Sequence, residues 1–468
     1  MIPTHSPEQP DESGALIFVW CCWALMFALA ISYVARFGCE IPILDELDYV
    51  DVFIGDTPVT ARWLWAFHNE HRIVIPKLIQ VVALRLTGAD YRATIYLGVT
   101  LLALCAGALI TAARKLRGRT AYSDAFFPLV LLHWGHFHTF WSGFQVQFVS
   151  SCCLAVVFLL IIVRESGAPS LRSSLVAGSC LVALPLCGAQ GLLLVPPLAV
   201  WLGCVSLARL LAARREGVVG RPRRGEYEAI PGLVLATVAG AVIVFYLRGY
   251  RKMAHHPDAD TPLAVARTTA EFVAANLGPT VSSLWPFSAA LVLSAVLLAV
   301  IPLASAVRRR SAERTRAFGM LMFFCACSLL SLAVGLGRSG YGPGAGAESR
   351  YAIMAAPLLC WAYFAWLLYG TAATARSAQR GLAAMMIAVV IPNAAIARER
   401  GLANQVYFAG IERSIRDGLT VDEFVDRYTG VYLLRRPQAK NREIVTTLGR
   451  QRVGMFKWLR DVQPGRAN

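Results

Sequence analysis

The stretch ALIFVWCCWALMFALAISYV (residues 15–34) carries no charged side chain. Its length matches the roughly 20 apolar residues that cross a bilayer as an α-helix. It is too long, and lacks the small-residue cleavage site, to read as a removed signal peptide, so it is expected to be a retained signal-anchor. Comparable runs recur along the chain at 93–113, 124–140, 145–163, 174–187, 190–211, 229–247, 284–306, 318–335, 351–370 and 380–396. Of all residues 56% are hydrophobic and only 16% charged, against about 25% charged in soluble domains. The predicted fold class is an all-α integral membrane protein with about eleven transmembrane helices. The fifth run contains Pro185 and is short enough to be broken or fused with the sixth.

The formal charge of +16 invites a nucleic-acid reading, but its distribution argues for none. Basic residues gather in short loops after alternate runs. They are Arg114, Lys115, Arg117 and Arg119; Arg164 and Arg172; Arg209, Arg214, Arg215, Arg221, Arg223 and Arg224; Arg308–Arg310, Arg314 and Arg316; and Arg376 and Arg380. All of these clusters fall on one side of the predicted membrane domain, which the positive-inside rule makes the cytoplasm. The expected protein is therefore multi-pass in the cell (inner) membrane, with a cytoplasmic N-terminus and an extracytoplasmic C-terminus. A membrane domain is expected over 1–396, with an outer first loop at 35–92, and a small extracytoplasmic segment over 397–468. In that segment VDEFVDRYTGVYLL (421–434) reads as a helix and then a short extended piece. The lipid bilayer is one partner. Most of the 12 cysteines lie inside apolar runs, where they act as small hydrophobes.

The polar outliers fall on the outer side. The first loop reads EIPILDELDYVDVFIGDTPVTARWLWAFHNEHRIVIPKLI (40–79). Asp45, Glu46, Asp48 and Asp51 follow the first run closely. Carboxylates there suit a general base, or the one cofactor considered, a divalent cation. His68, Glu70, His71 and Arg72 follow beside Trp63, Trp65 and Phe67. Two His at i, i+3 would share a helix face and could bind a metal, or the helix would turn His71 and Arg72 toward a phosphate. HWGHFHTFWSGFQVQF (133–148) supplies His133, His136, Trp141, Gln145 and Gln147, and Gln190 joins them from the turn before the sixth run. GLGRSGYGPGAGAESRYAIMAAPLL (335–359) supplies Arg338, Glu348, Arg350 and Tyr351. Its glycines suggest a phosphate loop, without the GK[ST] ending.

These residues resemble the GT-C type of polytopic glycosyltransferases. Asp45-Glu46 occupies the place of that group's acidic first-loop motif. His68–Arg72, the stretch Trp141–Phe148 and Ser349-Arg350-Tyr351 look like patterns in bacterial membrane proteins of this kind. The resemblance implies a donor sugar on polyprenyl phosphate and a glycan, lipid or protein acceptor. Asp45 or Glu46 is then expected as the base. His71, Arg72 and Arg350 would hold the phosphate. His68, Glu70, Trp141, Gln145, Gln147, Gln190, Arg338 and Tyr351 would line the pocket. The alternatives are a lipid-linked glycan polymerase or ligase, and a transporter or flippase. The last would predict inverted repeats and mid-membrane ionisable groups, and no repeat is visible.

Overall fold

The computed structural model describes residues 12–55, 57–215, 224–253, 256–259, 261–309 and 311–462. Arg221, Arg223 and Arg310 of the basic loops, and positions 463–468 of the C-terminal segment, lie outside the described residues. The protein is an all-α polytopic membrane protein. Among the described residues nine helices are long and apolar enough to cross a membrane. Seven of them are α1 (Glu12–Phe37), α3 (Arg92–Arg117), α5 (Val146–Arg164), α7 (Ala189–Arg215), α8 (Arg224–Leu247), α10 (Trp285–Arg309) and α11 (Arg314–Arg338). The other two are α12 (Ser349–Tyr369) and α13 (Ala372–Arg416). Between them lie α2 (Val74–Thr87) in the first loop, the short α4 (Phe126–Leu132) and α6 (Leu171–Ala183), and α9 (Pro262–Ala274).

Two expected spans are short elements. The run at 124–140 holds only the seven residues of α4 and then breaks at His133 into 3-10 turns. Polar His133 and His136 and flexible Gly135 follow the apolar helix directly, so the backbone leaves helical geometry where buried side chains can still satisfy it. The run at 174–187 forms α6, closed by a 3-10 turn at Leu184–Cys187 around Pro185.

α12 is the innermost helix, buried along nearly its whole length, whereas α1 and α8 expose most of theirs. The exposed side chains on the outer helices are apolar, among them Ile17, Leu25, Leu104, Val244, Ile301 and Ile391. Such continuous apolar surface is costly in water and suited to lipid tails.

The chain alternates between two ends. At the basic end Arg114 meets Glu12 (3.8 Å), Arg117 meets Asp124 (2.9 Å), Arg209 pairs with Glu228, and Arg316 reaches both Glu313 (3.0 Å) and the Glu165 carbonyl (3.4 Å). At the other end, the loop end, α13 continues past residue 396 without a break. The boundary drawn at 396/397 therefore falls inside a helix; no glycine-and-proline stop signal stands there. Beyond it come α14 (Val421–Tyr428) and α15 (Gln438–Arg450). The expected extended piece after α14 is a turn closed by a single Thr429–Leu433 bridge. Leu47, Val50 and Phe53 of the first loop share one hydrophobic core with Ile415, Phe424 and Leu448 of the C-terminal segment. First loop and C-terminal segment thus form a single cap on the helix bundle. Ion pairs reinforce it: Arg436 reaches Asp48 (2.6 Å) and Lys440 reaches Asp51 (2.5 Å).

Candidate active site

The floor of the cap is set by a short 3-10 helix, Leu44–Tyr49. Leu44 enters it with φ +51°, a left-handed conformation that a leucine adopts only at a cost of about 1–3 kcal/mol. With three residues per turn, successive side chains of a 3-10 helix point about 120° apart, so adjacent Asp45 and Glu46 face different ways. Glu46 turns inward and is 0% exposed. One of its oxygens accepts from the Ile43 N–H (2.9 Å), and it sits against Gly143, where a Cβ would lie 3.0 Å from Oε1. Burial pushes its carboxyl up to about 8, with backbone hydrogen bonds opposing. Asp45 turns outward into a cavity of about 340 Å³. Burial works to raise its carboxyl, but the hydrogen bond with His68 and nearby positive charge, including Arg350, outweigh it and hold the group below its ordinary value.

The segment His68–Arg72 is a tight turn, not a helix. His68 and His71 exchange backbone hydrogen bonds (2.7 and 2.8 Å) around Asn69, which has φ +49°. Side chains at i, i+3 therefore do not share a helix face. The His68 ring lies between Tyr49 and Phe144, with centroids at 5.1 and 5.2 Å. This presents Nε2 to Asp45 (3.5 Å) and Nδ1 to Asp48 (3.8 Å). The three residues offer metal-ligand atoms within 4.8 Å of one another. Two carboxylates and an imidazole make a mixed oxygen and nitrogen donor set of the kind that suits a borderline transition-metal dication rather than a hard, all-oxygen one. Arg436 already neutralises Asp48, however, and puts a positive charge where a cation would need the opposite.

Arg72 points away from the cavity and is 6% exposed. Its guanidinium donates to the carbonyls of Tyr246 (3.0 Å), Arg248 (2.7 Å) and Trp65, and lies over the Phe67 ring at 3.7 Å. It anchors the first loop to the end of α8. Glu70 pairs with His256 (2.9 Å), which fastens the loop after α8 to the first loop.

The cavity brings together Asp45, His68, His71, Gln145, Gln147, Arg338, Arg350 and Tyr351. His71 is pushed down to about 4, chiefly by burial, so it is a neutral imidazole at pH 7. Three buried polar atoms of the lining, Gln145 Oε1, His71 Nδ1 and Tyr351 Oη, have no hydrogen-bond partner, and Arg350 Nε has only a long ion pair with Glu348 (4.0 Å). Buried polar atoms are normally satisfied by protein or by water, so this wall is open to water or to a polar ligand. Other nominated residues lie elsewhere. Trp141 lines a separate groove with Arg36 and Phe408. Gln190 stands behind Gln147, donating to its carbonyl (3.2 Å) and to Ser151 (2.9 Å). The rings of His133 and His136 lie tilted against each other at 4.3 Å beside Asn393, outside the cavity lining.

Two contributors escaped sequence reasoning. His256 lines the cavity from the loop after α8. Glu271 of α9, 0% exposed, accepts the N–H groups of Gly344 (3.0 Å) and Gly346 (3.2 Å). These glycine amides are therefore spent on a carboxylate and do not cradle a phosphate. The glycines serve close approach instead: a Cβ on Gly346 would meet the Thr268 carbonyl at 2.2 Å. Pinning this loop is what places Arg338 and Arg350 on the same cavity. The one local sign at Glu271 is an ordinary i, i+4 pair with Arg267 (2.8 Å), while the glycines it pins lie over seventy residues away.

Comparison of the chain with protein families, curated proteins and solved structures returns no match. The chemistry of the site itself must carry the functional assignment.

Proposed function

We propose that the protein is a membrane glycosyltransferase that moves a sugar from a polyprenyl-phosphate donor to a glycan, lipid or protein hydroxyl. The reaction takes place on the non-cytoplasmic side of the cell membrane, where the positive-inside rule puts the loop end. One observation carries the reading: a charged Asp45 and two arginines, Arg338 and Arg350, share a cavity whose wall also holds unpartnered groups of Gln145, His71 and Tyr351. Neutral hydrogen-bonding groups suit sugar hydroxyls, and guanidinium groups suit a phosphate.

In this mechanism the acceptor oxygen attacks the anomeric carbon of the donor sugar. The bond from that carbon to the phosphate oxygen breaks, and polyprenyl phosphate leaves with the electron pair. Asp45 takes the proton of the acceptor hydroxyl. Arg338 and Arg350 stabilise the charge that builds on the departing phosphate, and such electrostatic stabilisation is usually the largest single contribution. His68 holds Asp45 in place. Glu46 and Arg72 have no direct part, since neither reaches the cavity.

Arg350→Ala and Arg338→Ala should each raise the dissociation constant for polyprenyl phosphate by about 10- to 100-fold, the worth of one charge-assisted hydrogen bond. Lys at either position should recover part of the loss by charge alone, without the forked geometry. Unchanged affinity in both alanine variants would remove the arginines from the donor site.

A further inference from the structure

A second cavity lies at the basic end, far from Asp45. Its volume is about 170 Å³, and Arg117, Arg119, Thr120, Arg376, Gln379 and Arg380 contribute to its lining. It is built from the last turn of α3, the loop after it and the first two turns of α13. Arg376, Gln379 and Arg380 fall on one face of α13 through their i, i+3 and i+4 spacing.

The interior of this cavity is fixed by Arg117. That guanidinium holds the buried Asp124 carboxylate (2.9 Å), the Tyr363 hydroxyl (3.2 Å) and the Gln379 side chain (3.3 Å). Arginine can only donate, so the Gln379 atom facing it is the amide oxygen. The amide nitrogen is thereby turned the other way. It has no partner, although Gln379 is only 2% exposed. The hydroxyl of Thr120, 4% exposed, is likewise without a partner. Two buried donors left unmade are costly, and they border the same cavity. Arg119, Arg376 and Arg380 add positive charge, and no carboxylate among the described residues pairs with them. The one carboxylate on the lining among the described residues, Glu12, faces Arg114 (3.8 Å). The site thus offers donors and cations around a gap. Beside it Phe18 of α1 and Tyr122 pack ring to ring (5.3 Å), an amphipathic pair suited to the headgroup level of a bilayer.

We propose that this cavity binds one phosphate group, either the headgroup of an anionic phospholipid in the adjoining leaflet or a phosphate in solution. The forked guanidinium groups supply charge, and Gln379 Nε2 and Thr120 Oγ1 supply the directional contacts that distinguish a site from a diffuse basic surface. The proposal does not depend on the transfer reaction at the other end.

The test uses the full chain in neutral detergent, titrated separately with dioctanoyl phosphatidylglycerol, inorganic phosphate and dioctanoylglycerol, with binding read from the thermal shift. The wild-type protein should bind a phosphate-bearing probe saturably and ignore dioctanoylglycerol. Phosphatidylglycerol binding with little response to inorganic phosphate identifies a lipid site, and equal affinity for both identifies a soluble ligand. Thr120→Val keeps shape and charge but removes the hydroxyl. Gln379→Glu keeps the acceptor that Arg117 needs but replaces the free donor with a carboxylate oxygen. Each should raise the dissociation constant by at least about tenfold. Either variant suffices if it keeps the wild-type Tm without probe. Absence of saturable binding, or undiminished affinity in a folded variant, overturns the proposal.

Discussion

Asp45→Asn should lower glycosyl transfer by about 10²–10⁴-fold, the usual cost of losing a general base, while the protein stays folded and still binds polyprenyl phosphate. The carboxylate borders the cavity and is held charged, so the amide keeps its shape and removes only its ability to take a proton. Glu46→Gln should behave oppositely and leave transfer within a few-fold of wild type. The buried Glu46 carboxyl, pushed up to about 8, is largely protonated at pH 7, and glutamine reproduces that neutral acceptor for the Ile43 N–H. The pair also separates on stability. The folded state keeps a proton on Glu46 that the unfolded chain releases near its ordinary value of 4.5. Stability from this group is therefore complete below about 4.5 and declines as pH rises through about 8. Glu46→Gln should flatten that decline. Equal loss of transfer in both variants, or loss in Glu46→Gln alone, would contradict the assignment of the base.

Arg72→Ala should destabilise the protein by about 3–5 kcal/mol, read as a large fall in Tm. Three carbonyls, from Trp65, Tyr246 and Arg248, lose their charged donor, and the contacts with Phe67 and Trp65 are lost with it. Arg72→Lys should recover a minor part, because one ammonium cannot span all three carbonyls. Whatever fraction remains folded should bind polyprenyl phosphate with wild-type affinity. A normal Tm combined with weakened donor binding would return Arg72 to the phosphate site.

The membrane-spanning helices were legible because length and apolar composition are local properties. The polar residues of the cavity were legible for a related reason: Asp45, Gln145, Arg338 and Arg350 stand out against apolar surroundings, where polar groups usually serve a function. What stayed hidden depends on contacts distant in sequence. Asp45 and Glu46 are neighbours of like chemistry, and only their partners elsewhere in the chain, His68 for Asp45 and Gly143 for Glu46, tell which one faces the cavity. Arg72 and Arg350 are both arginines beside aromatics; the carbonyls of Tyr246 and Arg248, more than 170 residues on, claim the first. His68–Arg72 carries no glycine or proline to announce its turn, so a helix was the expected form. The shared core of first loop and C-terminal segment is equally non-local. Nothing in the sequence around Ile411 or Phe424 points to Leu47 and Phe53, which share one core with them.

In the proposed reaction the phosphate of a polyprenyl-phosphate donor sits at Arg338 and Arg350 with the sugar over Asp45. Polyprenyl phosphate itself, the leaving group common to every such donor, allows a test that does not require knowing the sugar. A cryo-electron microscopy structure of the full chain in nanodiscs with polyprenyl phosphate added should show its phosphate within hydrogen-bond reach of Arg338 and Arg350, about 2.7–2.9 Å, and its tail leaving toward lipid. Phosphate density in the Trp141 groove, or at mid-membrane between the helices, with the Asp45 cavity empty, would contradict the account.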